Sequence, residues 1–181
     1  YGSDLGMKDG LAKLIETLLP EIPDIPWLRV LYSYPGYVTE HLIDLMSSSR
    51  QMLHYFDIPL QHADPEILKL MKRPSDMEWV RRTIEKMRKA MPDLAIRTTF
   101  IVGYPGETDA QFQSLLDFMR EIRFDHVGAF TFSFEPGTSS EPLGDPISQA
   151  EKDARLEELM KLQEEISLSR NQAWIGKTLD V

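Results

Sequence analysis

The sequence predicts an α/β fold with a parallel sheet and outer helices, and three observations predict it. Apolar runs of strand length alternate with amphipathic runs of helical length along all 181 residues, which is the pattern of βα units joined by right-handed crossovers. Two of the strand-like runs lead straight into polar turns and helix-start signals, in Phe56 to Arg73 (FDIPLQHADPEILKLMKR) and Arg97 to Thr108 (RTTFIVGYPGET). The strands number about four, too few to close an eight-stranded barrel, so the expectation is an open sheet or part of a TIM-like barrel.

The elements follow in chain order. Leu11 to Leu19 has helical periodicity, Leu28 to Tyr34 has strand character, and Thr39 caps a helix carrying Leu42, Ile43 and Met46. A strand at about His54 to Gln61 is followed by a short helix. A second helix follows, capped by Ser75 and Glu78, with Met77, Val80, Ile84, Met87 and Met91 on one stripe; Pro92 stops it. The third strand, Ala95 to Gly103, leads to a helix bearing Phe112, Leu115, Leu116, Met119 and Ile122. The fourth, about His126 to Phe134, places Phe130, Phe132 and Phe134 on one face, where they are expected in the core. A Gly- and Pro-rich loop, Glu135 to Pro146, precedes a long charged helix that Ser148 and Glu151 cap and that ends near Gly176.

Strand alternation places the candidate site. Phe56, Ile58 and Leu60 point one way and Asp57, Pro59 and Gln61 the other; Ile96, Phe100 and Val102 are on the covered side of the next strand, with Arg97, Thr99 and Ile101 opposite. A structural barrel core would fill such inward positions with branched apolar residues. Asp57, Gln61, Arg97 and Thr99 instead predict a wet, lined cavity, against the alternative of mutual salt bridging. In the turn after the third strand, Gly103 and Gly106 permit positive φ or close approach of a bound group, Pro105 stiffens it, and Thr108 with Gln111 forms a capping box. A plain strand-to-helix connection with no ligand would use the same residues.

Composition excludes several classes. The chain has no cysteine, which rules out disulfides, thiolate nucleophiles and cysteine-held clusters within it. His41, His54, His62 and His126 lack close metal-ligand spacing, so no metal site is expected. A net charge of −9 disfavours a nucleic-acid surface and suits a basic partner. The basic run from Lys69 to Lys89 is interspersed with acids such as Glu78 and Glu85, as on a solvated helix face. No apolar run reaches the roughly eighteen residues of a membrane span, and a soluble, cytoplasmic protein is expected.

The blocks WLRVLYSYP, FDIPLQHADPEILKLMKRP, RTTFIVGYPGET with FQSLLDF, and GAFTFSFEPGT, taken in this order, resemble the radical S-adenosylmethionine enzymes, and within them the methylthiotransferases. The resemblance covers nearly the whole chain. It implies a partial (β/α) barrel of the radical SAM type over residues 1–175, with GKTLDV, residues 176–181, as the start of a TRAM domain. It implies S-adenosylmethionine and 4Fe-4S clusters as cofactors, with the cluster's cysteines upstream of Tyr1, so that these 181 residues alone would be inactive. Transfer of a methylthio group to an aspartate of a basic small-subunit ribosomal protein is the implied activity. The sister branch modifies adenosine in transfer RNA and usually has Gln-Ser-Gly where Gln61, His62 and Ala63 stand, so His62 points to the ribosomal-protein branch. A barrel scaffold without chemistry is a further alternative.

By position, the resemblance assigns Gln61 and Thr99 to the ribose, Arg73 to the methionyl carboxylate, and Ile101, Gly103, Ala129 and Phe130 to the adenine. Arg97, His62 and Asp57 become candidates for substrate contacts, with Arg97 also able to meet the carboxylate. A monomer is expected.

Overall fold

The computed structural model describes residues 1–34 and 36–178, with only the backbone of Ser3. Among them are six α-helices and three strands: α1 (Gly10–Leu18), α2 (Glu40–Ser48), β1 (Tyr55–Asp57), α3 (Pro65–Leu70), α4 (Met77–Ala90), β2 (Ala95–Val102), α5 (Asp109–Ile122), β3 (His126–Thr131) and α6 (Gln149–Gln172). The sheet order β1-β2-β3 is the chain order, and the sheet is open. Two compact units divide the chain, residues 1–58 with 78–95, and residues 59–77 with 96–181.

In the first unit, α1 buries Ala12 and Ile15 and packs on α2, which buries Leu42, Ile43 and Met46. Thr39 caps α2 as expected, its hydroxyl accepting from the Leu42 N–H at 3.3 Å. Val80, Ile84 and Met87 form the buried stripe of α4, with Met91 buried just past its end, and an ion pair from Lys86 to Glu40 ties α4 to α2. The strand expected at Leu28 to Tyr34 does not form. Leu28 makes an isolated parallel bridge with Met52, and the Ser33 N–H donates to the Asp57 carbonyl at 2.6 Å. Between these contacts Tyr32 takes a left-handed φ of 59°, which breaks the pleat. Three strands therefore stand where about four were expected.

The strand expected at His54 to Gln61 is also shorter. Pairing as β1 ends at Asp57, and Ile58, Pro59 and Leu60 are all buried, so the two-face division fails at Pro59, which has no N–H to keep a ladder going.

In the second unit β2 and β3 pair in parallel, from Arg97 opposite His126 to Val102 opposite Thr131. Phe100, Phe118 and Phe124 form the centre, with the Phe124 ring 5.9 Å from each of the other two. Beneath them lie Leu115, Leu116 and Met119 of α5, which begins with the expected Thr108/Gln111 capping box. A second cluster joins Ile67, Tyr104 and Phe132, with Met71 and Ile101 against it. The aromatic triplet of the fourth expected strand divides: Phe132 is buried, but Phe130 is 61 % and Phe134 40 % exposed. β3 stops at Thr131, so Phe132 leaves the strand alternation and turns into the second cluster, while Phe130 stays on the face opposite the covering helices.

α6 packs on β3 and α5 and ends at Gln172, short of Gly176. Its buried stripe is Lys152, Arg155, Leu159, Gln163 and Ile166, helical in spacing yet mostly polar. The donors among them are satisfied internally: Gln163 Nε2 donates to the Phe124 carbonyl at 3.0 Å, and Lys152 to the Phe132 carbonyl at 3.1 Å and to Asp145 at 2.5 Å, whereas the buried Gln163 Oε1 has no partner among the described residues. Of the expected TRAM start, Leu179 to Val181 lie outside the described residues. No described helix is long and apolar enough to cross a membrane.

Candidate functional site

Within the second unit, β2 has one sealed and one accessible face. Thr98, Phe100 and Val102 are fully buried, and Arg97, Thr99 and Ile101 are half-buried. The parallel register places His126, Gly128 and Phe130 of β3 on the same side as Arg97, Thr99 and Ile101. At Gly128 the missing side chain matters: a Cβ there would lie 3.5 Å from Arg97 Nη2 and 3.6 Å from Thr99 Oγ1. The guanidinium and the hydroxyl therefore converge over a floor without side chain. Such a surface can accept a flat or hydroxylated ligand against backbone while offering one cation and one hydroxyl. Ala129, assigned to the adenine region, pairs with Phe100, so its side chain takes the covered side and only its backbone belongs to this surface.

Gln61 reaches β2 by a bridge of its own. Its N–H donates to the Thr99 carbonyl and its carbonyl accepts from the Ile101 N–H, both at 2.8 Å. Its φ is +74°, a left-handed conformation that costs a non-glycine residue on the order of 1–3 kcal/mol and persists only where the surroundings enforce it. The half-buried Gln61 is thus fixed by its backbone opposite Phe100, between Thr99 and Ile101, near the end of the strand.

The turn after β2 is filled by the chain itself. Gly103 and Gly106 have φ of +70° and +90°, as glycine permits, and a Cβ on Gly103 would collide with Lys152 Cγ. What approaches Gly103 so closely is the aliphatic stem of Lys152. The Gly103 N–H donates to Glu107 Oε1 at 3.0 Å, so this Gly-x-x-Gly turn is not an open anion cradle. The same Oε1 accepts from Arg155 Nη1 at 2.7 Å, and Glu107 Oε2 lies 3.1 Å from His62 Nε2. Arg155 also donates to Asp109 and Glu151. Burial opposes its charge, but the hydrogen bond that it donates to Asp109 and the carboxylates of Glu107 and Glu151 outweigh burial and hold its pKa above the ordinary arginine value.

His62 is completely enclosed, with both ring nitrogens engaged by protein. Arg73 is half-buried just beyond α3, its N–H donating to the Leu68 carbonyl. Asp57 belongs to the first unit, where its carbonyl receives Ser33. The structure therefore brings Arg97, Thr99, Ile101 and Phe130 to one face of β2 and β3, and the backbone of Gln61 to the far end of β2. Gly128 and the Glu107–Arg155 pair were missed by sequence reasoning. The β2–β3 register would have exposed the first; nothing local links Glu107 to a residue 48 positions away. Among the described residues no group of three or more His, Cys, Asp or Glu side chains is arranged to hold a metal ion.

Comparison with known proteins bears on this geometry. The Radical SAM superfamily profile matches residues 2–119. The chain belongs to the radical SAM superfamily. Relatives named ribosomal protein uS12 methylthiotransferase RimO match all of it, at 50% identity in Chloroflexus aurantiacus, 48% in Roseiflexus sp. and 47% in Heliobacterium modesticaldum. The chain spans 40%, 38% and 39% of those proteins. Among solved structures, the radical SAM enzyme coproporphyrinogen III oxidase (HemN) of Escherichia coli superposes with a TM-score of 0.70 at 17% identity, over 88% of this chain and 38% of that one. The radical S-adenosylmethionine methyltransferase TsrM of Kitasatospora setae gives 0.60 at 19%, over 77% and 28%. These likenesses fix the fold as part of the superfamily's (β/α) barrel.

Proposed function

We propose that this chain is the S-adenosylmethionine-binding part of a methylthiotransferase that modifies an aspartate of ribosomal protein uS12. The observation that carries the reading is the convergence of Arg97 and Thr99 over Gly128 on the accessible face of a radical SAM chain. Its relatives' names supply the reaction and the target.

Gln61 and Thr99 would hold the ribose, Arg73 or Arg97 the methionyl carboxylate, and Ile101, Phe130 and the backbone at Gly103 and Ala129 the adenine. Thr99 can give and take a hydrogen bond, and a guanidinium fork fits a carboxylate. The residues present do not fit an iron–sulfur cluster, for there is no cysteine to ligate it. In this reading the cluster ligands belong to a longer chain of which residues 1–175 are part of the barrel core, and 176–181 open a TRAM domain. From Glu107 onward acidic residues outnumber basic ones more than two to one, which favours a basic protein loop over a phosphate backbone. The protein is placed in the cytoplasm with its substrate and acts as a monomer.

Reconstituted full-length protein should add sulfur and methyl to an aspartate of uS12, read by peptide mass spectrometry. The same mass shift found only on transfer-RNA adenosine would overturn the target, and none on either would overturn the activity.

A further inference from the structure

We infer that His62 is a positioning residue that keeps Gln61 in its left-handed conformation, rather than a group that touches substrate. The inference rests on the cofactor reading above for its functional consequence, but its geometry stands apart from it. His62 Nδ1 lies 2.9 Å from the Asp64 backbone nitrogen, which can only donate, so Nδ1 is an acceptor without a proton. The ring proton is then on Nε2, 3.1 Å from Glu107 Oε2. Both nitrogens are consumed in a ring with no exposed surface, and none remains to meet a ligand.

The network explains why these two residue types are needed. Glu107 is buried with its charge matched by Arg155, and its two oxygens take Gly103 from the turn after β2 and His62 from the turn after Gln61. A second tie runs parallel to the first. Asp64 caps α3 through Oδ1, accepting from Glu66 and Ile67, and the same oxygen receives Gln111 Nε2 at 3.1 Å from the first turn of α5. The turn from Gln61 to Asp64 is therefore bolted at two points to the segment from Gly103 to Gln111. Gln61 itself is zipped to β2 by two backbone hydrogen bonds, and the bolt one residue later fixes the direction in which the chain must leave. An extended Gln61, the relaxed state, would carry His62 away from Glu107. Releasing His62 frees Gln61 to relax and lets its side chain leave the direction that the left-handed conformation imposes.

Two measurements on the full-length protein test this. Nitrogen NMR of histidine-labelled wild type should show the His62 ring protonated at Nε2, with Nδ1 a hydrogen-bonded acceptor; a proton on Nδ1 overturns the inference whether or not cofactor binds. In kinetics, His62→Ala should raise the KM for S-adenosylmethionine about tenfold, the loss of roughly one hydrogen bond to a charged group. The KM for the protein substrate should be unchanged, and His62→Gln, which can still donate to Glu107, should recover part of the effect. A rise in the protein substrate's KM with that for S-adenosylmethionine unchanged would show direct substrate contact and refute the positioning role. If wild type binds no S-adenosylmethionine, the cofactor reading fails and the ring protonation alone decides the role of His62.

Discussion

On β2, Ile96, Thr98, Phe100 and Val102 have no exposed surface, while Arg97, Thr99 and Ile101, alternating with them, stay half-open. The backbone is the same for both sets; only the environment differs. The covered set faces α5 and the phenylalanine cluster, where each large apolar side chain contributes about 1.5–3 kcal/mol by leaving water. The open set lies on the Gly128 side and keeps part of its surface exposed, so packing constrains its residue types less. Even the polar residue on the covered side follows the rule: Thr98 Oγ1 accepts from the Leu60 N–H at 3.3 Å, closing the gap where β1 has ended. One strand thus divides a sealed face from an open one at single-residue resolution.

The largest test of that division is Phe100→Ala. The ring is wholly enclosed and edge-on to Phe124, so its loss should cost about 3–5 kcal/mol as a cavity opens. Denaturant melts would read it, and a loss below 1 kcal/mol would mean that the covered face is not the core.

A finer test changes the same residue type on either side. Thr98→Val strands a buried N–H and should destabilise by about 1–3 kcal/mol while leaving S-adenosylmethionine affinity intact. Thr99→Val should change stability by less than about 0.5 kcal/mol and weaken S-adenosylmethionine binding by about 1–3 kcal/mol. Calorimetry on full-length protein separates them; two variants with the same profile would erase the distinction.

Much of this was legible from residues alone because β2 keeps strict alternation over its whole length, so period two assigns Arg97, Thr99 and Ile101 to one side. Capping worked for a similar reason: Thr39 and Thr108 act on neighbours three residues away. The strand at Leu28 to Tyr34 failed because its composition is strand-like but Tyr32 adopts a backbone conformation that no pattern announces. The Phe130–Phe134 triplet failed because strand length decides facing, and β3 ends after Thr131. α6 was read as a charged helix with no indication of which charges go inside. Lys152 and Arg155 are buried because partners distant in sequence, the Phe132 carbonyl and Glu107, meet them there.

The smallest expected effect lies where the two faces meet. Beyond the end of β2, Ile101 from the open side leans on the cluster of Ile67, Tyr104 and Phe132, and the Tyr104 hydroxyl donates to the Leu70 carbonyl at 3.3 Å. Burial holds the Tyr104 pKa above the ordinary 10.0. Above that ordinary value the unfolded chain gives up the phenolic proton while the folded chain keeps it, so the folded state binds more protons and stability must fall as pH rises. Below it the contribution is fully present. Tyr104→Phe removes the titrating group and, with it, a hydrogen bond worth about 0.5–1.5 kcal/mol. The wild type should therefore be the more stable of the two at about pH 8, and its advantage should shrink at about pH 11, above the tyrosine range. Urea melts of both proteins at the two pH values decide it, the difference between them cancelling the other tyrosines. An advantage independent of pH would mean that the hydroxyl meets water and that the cluster under Ile101 is open.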